Sequence, residues 1–194
     1  MSVMQGRERK FTERVRLPGD DFRLKEMIVY VSSKCQDDPG FGAVKLNKIL
    51  FWADFRAYRL RGRPITGAAY FRLKLGPAPR AMVPIMTELH QDDAVRTQRR
   101  IVGGLEQMRP IALRPANLDH FSGEDISIVD DVIGEMWGMS ATAVSLDSHG
   151  IQWQTRLDKQ PIPYEAAYLS DEPVTADDRE RAHELVRELG IGPS

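Results

Sequence analysis

The sequence predicts an α+β protein, a mainly α-helical single domain with a small antiparallel sheet or hairpin. Several apolar stripes run at helical spacing, and two strand-like runs meet at Gly103-Gly104. The length, 194 residues with 42% hydrophobic, suits one sizeable core rather than two domains.

Residues 1–19 are polar and basic, close on Leu17-Pro18-Gly19, and read as a flexible lead-in. Asp20 and Asp21 stand before the apolar run Phe22, Leu24, Met27, Ile28 and Val31, placed to cap a first helix and complement its dipole. A turn, DDPGFG at 37–42, leads to KLNKILFWADFRAYRLRGRP at 45–64. Here Leu46, Ile49, Leu50, Ala53, Ala57 and Leu60 form a helical stripe that Gly62 and Pro64 stop. Phe51, Trp52, Phe55 and Tyr58 widen the apolar surface, so this helix should be packed on more than one side.

AAYFRLKLGPAP then gives a strand at 69–73, a break at Gly76-Pro77 and a third helix from about Pro79 to His90. The run 94–113 reads as two strands joined by Gly103-Gly104, with Pro110 arguing for an edge position. Ser122 with Glu124 and Asp125 resembles a capping box, opening a helix through Ile126, Val129, Ile133, Met136 and Trp137 to Gly138. Ser140 is placed to cap a short helix to about Asp147. The expected organisation is a lead-in at 1–19, a domain at 20–155, a linker-like segment at 156–174, and a C-terminal helix and tail at 175–194.

The net charge of −1 hides an asymmetry. Residues 45–80 hold nine Lys or Arg against one acid, Asp54, a local +8; residues 115–194 hold five basic and sixteen acidic residues, a local −11. Packing the two halves together within the fold is the favoured reading, ahead of two surfaces for two partners. The lone Cys35 excludes an intramolecular disulfide and fits a reducing compartment. With no apolar leader and no run near the ~20 apolar residues of a membrane helix, a cytoplasmic protein without a membrane partner is expected.

No constellation for catalysis stands out, so an enzyme is not expected, nor a cofactor or metal. PGFGAVK at 39–45 lacks the spacing of a phosphate loop and reads as a turn before a helix. Asp119-His120 has no second His at i+3 or i+4, and a solvated pair is favoured over half a metal site. Cys35 has no motif partner, no GxSxG is present, and the adjacent pairs Asp92-Asp93 and Asp130-Asp131 point apart on a helix. A nucleic-acid reading has more material: three helices and a winged-helix-like hairpin carrying Arg96, Arg99, Arg100 and Arg109, with Lys45, Lys48, Arg56, Arg59, Arg61 and Arg63 available to phosphates. The acidic last eighty residues and the apolar character of the basic helix weigh against a DNA-binding regulator, which stands as the alternative.

Three blocks, KLNKILFWADFRAYRLRGRPI, AYFRLKLGPAP and FSGEDISIVDDVIGEMWGMSATAVSLDSHGIQW, together resemble the SocA-like, or Panacea, antitoxin domain, also met in phage-associated proteins. The matching positions are Lys45, Leu46, Lys48, Ile49, Leu50, Phe51, Gly62, Pro64, Tyr70, Gly76, Pro77, Ser140, Ala141, Ser145, His149 and Trp153. The likeness spans about residues 22–155; Arg61 stands where the family often has an aromatic residue, and Ala78 where Val usually follows Gly-Pro.

The resemblance implies a protein-binding antitoxin that neutralises a cognate toxin from the same operon. One type of member acts as a proteolytic adaptor, presenting its toxin to an AAA+ protease. No catalytic residues are implied. Lys45, Leu46, Lys48, Leu50, Tyr70, His149 and Trp153 are expected to be structural, with Gly and Pro motif positions as backbone punctuation. Arg56, Tyr58, Arg59, Arg63 and the Gly76-Pro77 loop are the expected partner contacts, because interface anchors favour aromatic residues and Arg.

Overall fold

The computed structural model describes residues 11–147 and 151–169, together with Glu180, Glu184 and Arg187. His149, the first ten residues of the lead-in, and the expected helix at 175–189 apart from those three helical positions lie outside the described residues.

In chain order the elements are α1 (Asp20–Lys34), α2 (Ala43–Arg61), β1 (Tyr70–Leu73), β2 (Gly76–Pro79), α3 (Met82–Gln91), β3 (Val95–Val102), β4 (Leu105–Ala112), α4 (Gly123–Met136), α5 (Ala141–Asp147), α6 (Ile151–Gln154), β5 (Pro161–Ile162) and a 3-10 turn (Tyr164–Tyr168). α2 is the axis: α1, α4, α5, β2, β4 and the 3-10 turn all lie against it. Its apolar residues exceed a single stripe, and Leu46, Ile49, Leu50, Phe51, Ala53, Phe55 and Ala57 are all buried. Leu60, placed inward by the stripe, is 67% exposed because it sits in the last turn, just before Gly62 takes φ 69° and ends the helix.

α1 begins differently from expectation. Gly19 at φ 77° is the capping position, and Asp20 sits inside the first turn, where its carboxylate accepts the Leu17 N–H at 3.0 Å. The capping box of α4 forms as read: Asp125 N–H donates to Ser122 Oγ at 3.1 Å and Ser122 N–H donates to the Asp125 carboxylate at 2.9 Å. Ser140 likewise caps α5, accepting the Ala143 N–H at 3.1 Å.

The sheets hold the largest departures. Gly76-Pro77 is not a break but the start of β2, which pairs antiparallel with β1 across a two-residue turn. Pro77 and Pro79 fall opposite Arg72 and Tyr70, and the Arg80 N–H donates to the Ala69 carbonyl at 2.8 Å in phase with the ladder. Both prolines therefore occupy positions whose nitrogen faces away from β1, where a missing N–H costs no ladder bond. β5 pairs with the other side of β1, so the sheet order is β2-β1-β5. The segment read as a linker thus supplies a strand and the buried residues Ile162, Tyr164, Ala166 and Ala167. The second half of the lead-in is tied down too, since the Tyr164 N–H donates to the Thr12 carbonyl at 2.8 Å and the Val15 N–H to the Gly67 carbonyl at 3.2 Å. β3 and β4 form a separate two-stranded arm whose turn glycines, at φ 57° and 79°, adopt the left-handed conformations a tight hairpin requires.

Candidate functional site

The basic helix spends much of its charge inside the protein. Lys45 is fully buried and donates to Asp38 at 2.7 Å and to the Met136 carbonyl at 2.8 Å, closing the turn of PGFGAVK rather than offering a phosphate site. Lys48 is buried as well, with its amine on the Pro77 carbonyl at 3.0 Å; burial pulls it down to about 7. Neither lysine can reach a phosphate from these positions, which corrects that part of the nucleic-acid reading.

Asp54, the one acid in this basic stretch, faces the core and gathers donors from three parts of the chain. Ile65 N–H and Thr66 N–H reach it at 2.8 and 2.6 Å, Tyr70 Oη at 2.9 Å and Tyr164 Oη at 3.3 Å, with the Thr66 hydroxyl also bonded. Burial raises its carboxyl against those donors, and burial together with the Asp54 charge raises the Tyr70 and Tyr164 phenols. Sequence reasoning overlooked this cluster, although a single acid four residues after Leu50 and three before Ala57 on an apolar stripe was its signal.

The expected contact residues divide. Gly76 and Pro77 are buried in β2, so they are not an exposed loop. Arg56 is half-buried and grips Glu135 through both terminal nitrogens, at 2.8 and 2.5 Å; that bond raises the guanidinium and lowers the carboxyl. Tyr58 is half-buried, its ring 5.2 Å from Tyr164 and 5.9 Å from Tyr168. Arg59 and Arg63 are exposed, beside the exposed Leu60. Leu46, Leu50 and Tyr70 are core, and Trp153 donates to the Leu73 carbonyl at 2.9 Å under the Arg72 guanidinium, 3.8 Å from its ring.

On the arm, Arg109 is buried and bonds the carbonyls of Asp38, Phe41, Cys35 and Gln36, leaving Arg96, Arg99 and Arg100 exposed. The tip presents Ile101, Val102 and Leu105 to solvent, and beneath it an apolar groove of about 410 Å³ opens between the arm, the α1–α2 turn and the α4–α5 turn. Cys35 is buried and its thiol is pushed up to about 12, first by burial and then by Asp38, so it is no nucleophile. His120 packs its ring edge-on to Phe22 at 5.2 Å, and its carbonyl accepts from Arg23. Among the described residues no group of three or more His, Cys, Asp or Glu is arranged to hold a metal, and no helix is long and apolar enough to cross a membrane.

These features define a small α+β domain whose buried Lys45, Lys48, Asp54 and Arg109 are committed to internal bonds and whose outward features include a basic rim and an apolar arm. The chain belongs to the family described as antitoxin SocA-like, Panacea domain, which matches residues 46–154. Comparison with curated proteins and with solved structures finds no match.

Proposed function

We propose that this chain is a protein-binding antitoxin that neutralises a toxin encoded beside it, by direct contact between folded surfaces. Its membership of an antitoxin family over residues 46–154 is the observation that carries this reading. Lys45, Lys48, Asp54 and Arg109, the buried titratable groups of this region, are each held by internal bonds, which fits a structural role for them beside a binding surface elsewhere. The basic rim at the end of α2, with Arg59 and Arg63 exposed and Tyr58 at its edge, is the face we assign to steering an acidic partner. Arg56 supports that rim through Glu135 rather than as a free charge.

Co-expression with each neighbouring gene tests the function. Relief of growth arrest together with co-purification is the expected result, and a toxic neighbour that is neither bound nor neutralised removes the reading. Arg59→Glu with Arg63→Glu is expected to slow association about tenfold at low salt, with the difference fading as salt rises. If association is unchanged, the rim is not the steering face. Delivery to a protease is distinguished from simple blocking by toxin turnover: a toxin that disappears only when both the antitoxin and an AAA+ protease are present is being delivered.

A further inference from the structure

The lead-in and the 3-10 turn lie outside the family match, one on each side of it, and they are bonded to each other. The Thr12 N–H donates to both oxygens of the Glu165 carboxylate, at 3.1 and 2.9 Å, and the Thr12 carbonyl accepts the Tyr164 N–H at 2.8 Å. Farther along, the Val15 N–H donates to the Gly67 carbonyl at 3.2 Å, while Arg14 and the Leu17 N–H both meet Asp20, at 3.1 and 3.0 Å. Residues 12–17 thus run as a strap from the 3-10 turn, across Gly67, to the start of α1. Gly67 is the seat: its φ is 73°, and a β-carbon there would stand 2.1 Å from the Val15 carbonyl oxygen.

What the strap covers is the Tyr58 edge of the basic rim. The Thr12 side chain stands beside the Tyr58 phenol, which burial and then the Glu165 charge push up. Tyr58 is half-buried there, next in the chain to the exposed Arg59.

The strap is held less firmly than what it lies on. Its apolar side chains, Val15 and Leu17, are half-buried, and Glu13, Arg14 and Arg16 are exposed. A cavity of about 180 Å³ opens between Arg14 of the strap, Leu24 of α1, Thr66 and Ile85 of α3. Tyr164, by contrast, is fully buried, with its hydroxyl on the Ala68 carbonyl at 2.6 Å and its ring 5.1 Å from Phe55. Segments with few buried apolar contacts open at free energies below that of global unfolding, so the strap leaves before the tyrosine does.

We infer that the lead-in is a releasable strap: displacement of residues 12–17, or cleavage at Arg14 or Arg16, uncovers Tyr58 and the Tyr164 backbone N–H while the Tyr164 side chain stays on the Asp54 cluster. The strap is then an autoinhibitory contact, because the Tyr58 edge of the rim is open to a partner only in the fraction of molecules whose strap is away. That consequence rests on the reading of the rim given above; the opening itself does not.

Amide hydrogen exchange of the full chain reads the opening. The Thr12, Val15 and Tyr164 N–H groups are expected to exchange together, about a hundredfold or more faster than those of Ile49 and Val129 in the core helices. Gly67→Ala drives a β-carbon into Val15, and Glu165→Ala removes the acceptor of Thr12 without touching the seat. Each is expected to raise exchange at the strap-linked amides about tenfold further. Each is also expected to raise nitration of Tyr58 by tetranitromethane several-fold against the exposed Tyr168, with the buried Tyr70 and Tyr164 still protected. The inference is overturned if the Tyr164 amide exchanges with the core helices rather than with Thr12, or if Tyr58 labels equally in the variants and the natural chain. It is equally overturned if Tyr164 is labelled together with Tyr58, which makes the strap part of the core. A neighbour already shown to be neutralised is expected to bind both variants several-fold tighter; equal or weaker binding overturns the autoinhibitory role and leaves the antitoxin reading standing. Absence of any neutralised neighbour removes that reading and not the strap, which exchange and labelling decide.

Discussion

Lys48 enters the interior with one acceptor, the Pro77 carbonyl, and burial alone pulls its amine to about 7. In an unfolded chain the same amine titrates near ~10.4. Between those values the unfolded chain binds more protons than the folded one, so this residue makes stability rise with pH from about 7 to about 10, and its cost is fully present below about 7. Lys48→Met fills similar space and abolishes the effect. Its stability relative to the natural chain is expected to fall by on the order of 4 kcal/mol across that window, measured from urea midpoints; a difference flat in pH contradicts the assignment. The sequence reading classed Lys48 as structural on resemblance and also offered it to phosphate on composition. Only the placement of β2 over the helix decides between the two, and β2 was hidden because Gly76-Pro77 reads locally as a stop.

At the scale of elements, legibility followed how local the signal was. α4 announced both ends, through Ser122 with Asp125 at its start and Gly138 after its close, because capping chemistry acts within a turn. The same is true of the arm, where Gly103-Gly104 demands a tight turn whatever surrounds it. β5 and the 3-10 turn gave no such signal: two residues pair with Tyr70 and Phe71, far away in sequence, and nothing in DKQPIPYEAAY specifies that partner. The α4 cap also reaches beyond its helix, since Asp125 meets Arg23 at 3.3 Å as well as Arg61. Ser122→Ala is expected to cost about 1–2 kcal/mol in a thermal or urea titration. A loss below ~0.3 kcal/mol would mean that the two arginines alone hold Asp125 and the helix end.

Across the whole molecule, the oppositely charged halves meet. Arg56 with Glu135, Arg61 with Glu124 and Asp125, and Lys34 with Asp130 join the basic helices to the acidic α4, which is the bland reading of the asymmetry. The groove beneath the arm had no counterpart in the sequence, because it is formed by which elements become neighbours rather than by the residues of any one of them. A second long-range closure lies at the end of the described chain, where Tyr164 stacks 5.1 Å from Phe55 and donates to the Ala68 carbonyl at 2.6 Å. A chain ending at Lys159 is expected to be less stable than one ending at Leu169 by about 3–5 kcal/mol, the scale of deleting a large buried aromatic, as judged by thermal unfolding. Equal melting of the two would show that the Asp54 cluster stands without Tyr164.

That cluster has a bearing on synthesis. Asp54 leaves the ribosome early, while the last of its hydroxyl donors, Tyr164, follows 110 residues later, well past the end of the family match at residue 154. Until then the carboxylate has an incomplete shell, and an incompletely bonded buried charge opposes compaction. A chain interrupted between residue 154 and Tyr164 therefore carries the whole of the family match without the last hydroxyl that closes the Asp54 cluster, so the matched blocks alone do not complete the core.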